Sequence, residues 1–155
     1  MGEKNFLSKT TIWEESTRVP FVVYAPGVSV AGKKVAHPIS LIDLYPTLID
    51  LSALPQHPNI AGNGHLLDGH STRPFLENPT SGTWNGPPVA LNHLHGKVSP
   101  AKDTPSPIED NHHSVRSNRY RYTLTSDGKE EFYDHLNDPN EWTNLAMTDL
   151  DDDVR

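Results

Sequence analysis

The sequence predicts an α/β chain that closes with a small antiparallel sheet, and three observations carry this. Phe21-Val22-Val23-Tyr24-Ala25 is an unbroken apolar run between Pro20 and Pro26-Gly27. Such a run suits a strand covered on both faces, as in a parallel sheet flanked by helices. Leu41, Ile42, Leu44, Tyr45, Leu48, Ile49 and Leu51 recur at helical spacing and give one broad apolar face. Tyr120, Tyr122 and Leu124 alternate with Arg121, Thr123 and Thr125, the period of a strand.

The first element is a helix ahead of the apolar run. Ser8 or Thr10 serves as N-cap, Ile12 and Trp13 give an apolar side, and Glu14-Glu15 form the polar side. Pro20 ends that helix at or before Val19, because the residue preceding a proline is pushed out of the α region. The next helix is expected from about Asp43 to Ser52. With Asp43 as N-cap, Pro46 falls in the first turn, where its missing N–H costs nothing; deeper in the helix it would cost ~3 kcal/mol or more. Asp68-Gly69 is a turn, and Ser71 is expected to cap a short helix that buries Phe75 and Leu76.

Pro88 to His93 reads as a short strand. Residues 97–110 hold three prolines and few apolar groups, so they read as a surface loop. Ser126-Asp127-Gly128-Lys129 is the turn of a hairpin that returns through residues 131–135, and residues 114–116 are expected to pair beside it. Asp138-Pro139 starts a last turn, which Trp142 and Leu145 are expected to pin to the sheet.

Composition narrows the function. The chain has 155 residues, a net charge of −7, 34% hydrophobic residues and 14 prolines. That length supports a core, and the prolines imply much irregular chain. The acidic balance argues against nucleic acid as a partner. The absence of cysteine excludes disulfides, thiolate zinc sites and a cysteine nucleophile within these residues. No apolar run reaches the roughly 20 residues of a membrane span, and no signal-peptide core opens the sequence.

The string Gly2-Glu3-Lys4, then Lys9, then Trp13-Glu14-Glu15-Ser16-Thr17-Arg18-Val19-Pro20 and Ala25-Pro26-Gly27 resembles the sulfatase family, especially its iduronate-2-sulfatase-like branch. Ser40 to Leu48 resembles that family's ValAsp-x-x-ProThr helix start. Residues 67–76 resemble its AspGly-x-Ser-Leu-x-Pro-Leu-Leu segment, and His113 to Ala146 resembles its small C-terminal sheet. The resemblance implies the C-terminal part of a sulfatase/alkaline-phosphatase-like α/β fold. Residues 1–80 would end the large domain, 81–148 would form the small antiparallel-sheet subdomain, and 149–155 would be an acidic tail.

The resemblance also assigns chemistry. Lys9 stands seven residues after Gly2, where the family places a lysine on the sulfate group. An ammonium suits the charge that develops on the ester oxygens; the plainer reading is a solvent-facing lysine. Lys4 is either a second such group or a surface charge. His113 matches the histidine of the family's Asn-His-Ala/Ser-Val-Arg segment and is expected, as a substrate-binding residue, to line the cleft. Arg116 would hold an anionic substrate group, or else form a structural ion pair. His112 precedes the aligned histidine. His93 and His95 share a strand face and make a weak metal pair, so no metal site is assigned. Glu14, Glu15, Asp43 and Asp50 are not read as an acid–base set.

The family's formylglycine motif, Cys/Ser-x-Pro/Ala-x-Arg, is absent, and so are the Asp pair and Asp-His-Gly of its calcium site. No cofactor is therefore expected in this chain, while Ca2+ and formylglycine are expected in a complete protein. The chain alone is expected to be inactive. The resemblance implies sulfated carbohydrate as substrate, the remainder of the sulfatase domain as partner, and a periplasmic or extracellular setting. A phosphatase or phosphonate hydrolase of the same superfamily, or a non-catalytic binding module, are the alternatives.

Overall fold

In the computed structural model, residue 4 and residues 11–54, 65–95 and 111–147 are described. The chain divides into two units, one of Met1–Pro20 with Val89–Arg155 and one of Phe21–Pro88. This differs from the expected division at residue 80. The physical reason lies in Trp13 and Glu14, whose side chains bond to the C-terminal sheet and draw the N-terminal stretch to it.

The first unit is built on a four-stranded sheet in the order β1-β2-β3-β4. These strands are β1 (Ala90–His95), β2 (Asn111–Arg116), β3 (Tyr120–Leu124) and β4 (Glu130–Asp134). Every neighbour is antiparallel. The hairpin is where the alternation put it, and its turn carries Gly128 at φ 79°, a conformation glycine adopts without strain. β2 is longer than expected and β1 begins two residues later. A short helix, α1 (Glu14–Thr17), belongs to this unit. Trp13 takes the N-cap position with no side-chain cap bond.

The period of β3 was legible, but its buried side is the polar one. Arg121 and Thr123 are 1% exposed, whereas Leu124 is 38% exposed. The expected pin at the end of the sheet is also corrected. Trp142 is 75% exposed. Glu141 before it adopts φ 58° and turns inward to Arg121, which sends Trp142 outward. Leu145 begins a 3₁₀ turn, Leu145–Met147, beside β4.

The second unit holds α2 (Leu44–Leu51) and α3 (Arg73–Glu77). A 3₁₀ turn at Leu41–Asp43 leads into α2, and Pro46 is its third residue. Ser40 and Asp43 form a capping box, and Asp43 Oδ2 accepts the Ser40 N–H at 2.9 Å. The same carboxylate's Oδ1 accepts the His70 N–H at 2.9 Å. The loop comes so close that a Cβ on Gly69 would lie 2.1 Å from the Ile42 carbonyl oxygen. Asp50 accepts from Ser71 Oγ at 2.6 Å and from Arg73 at 3.0 Å. Ser71 thus ties α3 to α2, and its Oγ also accepts the N–H of Arg73, the first residue of α3, at 3.3 Å, while Thr72 at the N-cap position makes no side-chain cap bond. Phe75 is buried against Trp84 and His37, with ring centroids 5.4 and 5.0 Å away.

The expected strand at Phe21–Ala25 does not form. Among the described residues Phe21–Tyr24 join no helix, turn or ladder, the Ala25 carbonyl instead opens a turn by accepting the Val28 and Ser29 N–H groups, and Val22 and Tyr24 are 90% and 83% exposed. A strand exists only by pairing, and none of the described ladders includes this segment. Much of the apolar side of α2, including Leu48 and Tyr45, is exposed as well.

Candidate functional site

Alternation along β2 decides where the candidate residues go. His113 and Arg116 are three apart, so they project from opposite faces of the sheet. His113 is directly across from His93 of β1, and their rings meet edge-on at 5.0 Å. His93 was paired with His95 in the sequence reading; in the structure its ring partner is His113. Lys9 lies outside the described residues, so its position relative to either face is left open. His112 accepts the Ser126 N–H on Nδ1 at 3.2 Å, anchoring β2 to the hairpin turn.

Arg116 faces α1. Its Nε donates to Glu14 Oε2 at 3.0 Å. Arg121, on the same face of β3, donates to that same oxygen at 2.5 Å. Arg121 also donates to the Ile12 carbonyl at 2.9 Å, to Ser114 Oγ at 2.8 Å and to Thr17 Oγ1 at 2.9 Å. Its Nε sits 2.7 Å from Glu141 Oε1, an ion-pair contact without hydrogen-bond alignment. Glu141 Oε2 accepts the Glu14 N–H at 3.1 Å, and His135 Nε2 lies 2.9 Å from Glu141 Oε1. Burial pulls the Glu14 carboxyl upward, but the Arg116 and Arg121 guanidiniums outweigh it and hold its pKa below the ordinary value.

Lys4 stands beside this network. Its Nζ donates to the Tyr133 hydroxyl at 2.7 Å and lies 5.0 Å from the centre of the Trp13 ring. Trp13 Nε1 and the Tyr133 hydroxyl both donate to Glu131 Oε2, at 2.6 and 3.0 Å. Burial lowers the Lys4 pKa, opposed by Glu131, and burial raises that of Tyr133. Lys4 is therefore no free surface charge. It helps clamp the segment ahead of α1 to β4.

Glu14, His135 and Glu141 offer ligand atoms within 4.8 Å of one another. The guanidinium of Arg121 already occupies the carboxylates, and a calcium ion prefers six to eight oxygens. These residues do not fit the family's calcium, and no described residue stands in for its formylglycine. Sequence reading missed Arg121, Glu141 and His135. The available signal was an arginine alternating with threonine on a strand, opposite a paired Glu14-Glu15.

Among the described residues no helix is long and apolar enough to cross a membrane. The family described as N-sulphoglucosamine sulphohydrolase, C-terminal, matches residues 2–155. A sulfatase of Formosa agariphila is 31% identical over 94% of this chain and 24% of its own length. Human arylsulfatase K is 29% identical over 90% of this chain and 24% of its own. This chain thus spans about a quarter of these relatives. Among solved structures, a phosphonate monoester hydrolase of Silicibacter pomeroyi superposes with a TM-score of 0.72 at 24% identity, over 96% of this chain and 28% of that one. It shows the alkaline-phosphatase-like fold. A 2-O GAG sulfatase superposes with a TM-score of 0.54 at 29% identity, over 79% and 24%.

Proposed function

Since the chain belongs to the sulfatase family, we propose that it is the C-terminal part of a hydrolase of sulfate esters on sulfated carbohydrate. The observation that carries this reading is the family match along residues 2–155, which runs through Lys9, His113 and Arg116. Likeness to a 2-O GAG sulfatase supports a sulfated sugar as the substrate class. The finer reading, the iduronate-2-sulfatase-like branch, is supported by the resemblance of Gly2-Glu3-Lys4, Lys9, Trp13–Pro20 and Ala25-Pro26-Gly27.

In this reading Lys9 contacts the sulfate. A compact ammonium with three donors stabilises the negative charge that grows as the S–O bond breaks. His113, together with His93 across the ladder, presents imidazole N–H groups to a sugar hydroxyl or carboxylate. Arg116 meets an anionic substrate group only by exchanging Glu14 for it, since Glu14 already holds its Nε. Ca2+ and formylglycine belong to the part of the enzyme outside these residues and supply the nucleophile and Lewis acid. The expected setting is periplasmic or extracellular.

A chimera tests this. The chain replaces the matched quarter of the Formosa agariphila sulfatase, and release of inorganic sulfate from sulfated monosaccharides is assayed beside phosphate release from the corresponding phosphate esters. Sulfate release is expected, with kcat falling ~10²–10³-fold for Lys9→Ala and KM rising for His113→Ala. Preferential phosphate release, or indifference to Lys9→Ala, sinks the reading.

A further inference from the structure

We propose that His93 and His113 form a binding site for a divalent transition-metal ion of the zinc class. Within the sheet unit the two residues are direct partners across the β1–β2 ladder, where opposed Cβ atoms lie about 4.5–5.5 Å apart. Their ring centroids are 5.0 Å apart and the ring planes meet at 84°. Two imidazoles that share one ion through nitrogens about 2.0–2.1 Å from it have centroids about 5.2 Å apart at the tetrahedral angle and about 4.5 Å apart at a right angle. The observed spacing falls between these values. Planes at a steep angle also keep the C–H edges of the two rings clear of each other around one ion. The χ2 torsion of histidine is soft, and His93 is exposed on an outer strand of the sheet. Its ring can turn a nitrogen to the ion without disturbing the ladder.

The charge of this face suits a cation. Arg116 and Arg121 are the only lysine or arginine residues within the four strands, and alternation puts both on the opposite face. The cross-strand row that starts at His93 runs through His113 and Leu124 to Glu130, so its fixed charge is negative. Imidazole nitrogen selects zinc, copper or nickel, whereas calcium and magnesium take oxygen. The site thus differs in kind from the group of Glu14, His135 and Glu141, whose carboxylates already hold Arg121. With two protein ligands, the remaining coordination positions go to water or to an oxygen of an anion. The inference does not rest on the hydrolase reading, although both use the same two imidazoles.

The test titrates Zn2+ into the 155-residue chain. Calorimetry reads stoichiometry and affinity, and NMR of the imidazole nitrogens locates the ion. The expected result is one tightest-bound ion per chain, with the ring nitrogens of His93 and His113 shifting together and no response to Ca2+. His93→Ala and His113→Ala should each weaken binding at least tenfold. His112→Asn, which removes a histidine of the opposite face, should change it less than twofold. Circular dichroism checks that each variant folds, and His93→Gln, which keeps a polar side chain, removes the same ligand should the alanine variant not fold. No saturable Zn2+ binding, binding that survives the loss of either histidine, or an equal loss in His112→Asn overturns the proposal. So does an ion located at His135. In the sulfatase chimera, Zn2+ should raise KM for the sulfated sugar. Zn2+ that binds at the pair and leaves KM unchanged keeps the metal site and counts against the sugar contacts of His93 and His113. A chimera that releases sulfate with a His113-dependent KM but binds no Zn2+ does the reverse.

Discussion

The two units solve the same problem in opposite ways. The sheet unit buries charge. Arg121, Glu141 and Glu14 are sealed between α1 and the polar face of β3, and each carboxylate meets a guanidinium. The other unit exposes oil: Val22, Tyr24 and much of the outer side of α2 face water. Buried ion pairs are weak evidence of net stability, but a half-removed pair is costly. Exposed apolar patches mark surfaces that something else covers. The described core of the sheet unit is thus held by charge, while the second unit leaves much of its apolar surface in water.

The largest expected effect breaks the sheet unit. Arg121→Ala leaves two carboxylates buried against each other and should cost ~3–5 kcal/mol. Urea unfolding followed by circular dichroism measures it, and a cost below ~1 kcal/mol would mean the cluster is effectively solvated. Asp43→Ala is the counterpart in the other unit. It orphans the Ser40 and His70 amides and should cost ~1–3 kcal/mol. A cost near zero would show that water replaces the capping box.

What the sequence revealed follows the same divide. The hairpin was legible because period-2 alternation and the Asp127-Gly128 turn are local signals. The start of α2 was legible because Pro46 tolerates only the first turn. The buried side of β3 was not. Apolar periodicity marks Tyr122 and Leu124, whereas the partner of Arg121 is Glu14, 107 residues away. Phe21–Ala25 has the apolar run of a strand, but no described residue pairs with it and no strand forms there. Of the candidate site, His113 and Arg116 were found as residues. Their projection from opposite faces was not, because the extent of β2 was underestimated.

Acid should loosen the sheet unit. Two hydrogen bonds from Arg119 hold Asp134 down, from an ordinary value near 3.8 to about 2. Glu14 is also depressed, against its burial, by Arg116 and Arg121. A depressed carboxylate contributes stability above its unfolded pKa and loses it as pH falls through the folded one. Unfolding midpoints should therefore hold near pH 6 and drop between about pH 4 and pH 2. Asp134→Asn should flatten that fall, and an unchanged fall would remove Asp134 from it. The exposure of Arg119 keeps the effect smaller than that of Arg121. The smallest change is expected from Trp142→Ala. The ring stands in solvent, so the shift should stay within ~0.5 kcal/mol. A larger loss would restore Trp142 as the pin of the last turn.

The most direct measurement reads the coding frame upstream of the Met1 codon. The expected result is an open frame that encodes Asp-His-Gly just ahead of Gly2 and Cys/Ser-x-Pro/Ala-x-Arg further back. Lys9 then joins a nucleophile and a metal site on one polypeptide. A frame that closes at once, or stays open without both motifs, would contradict the reading of this chain as part of a sulfate ester hydrolase.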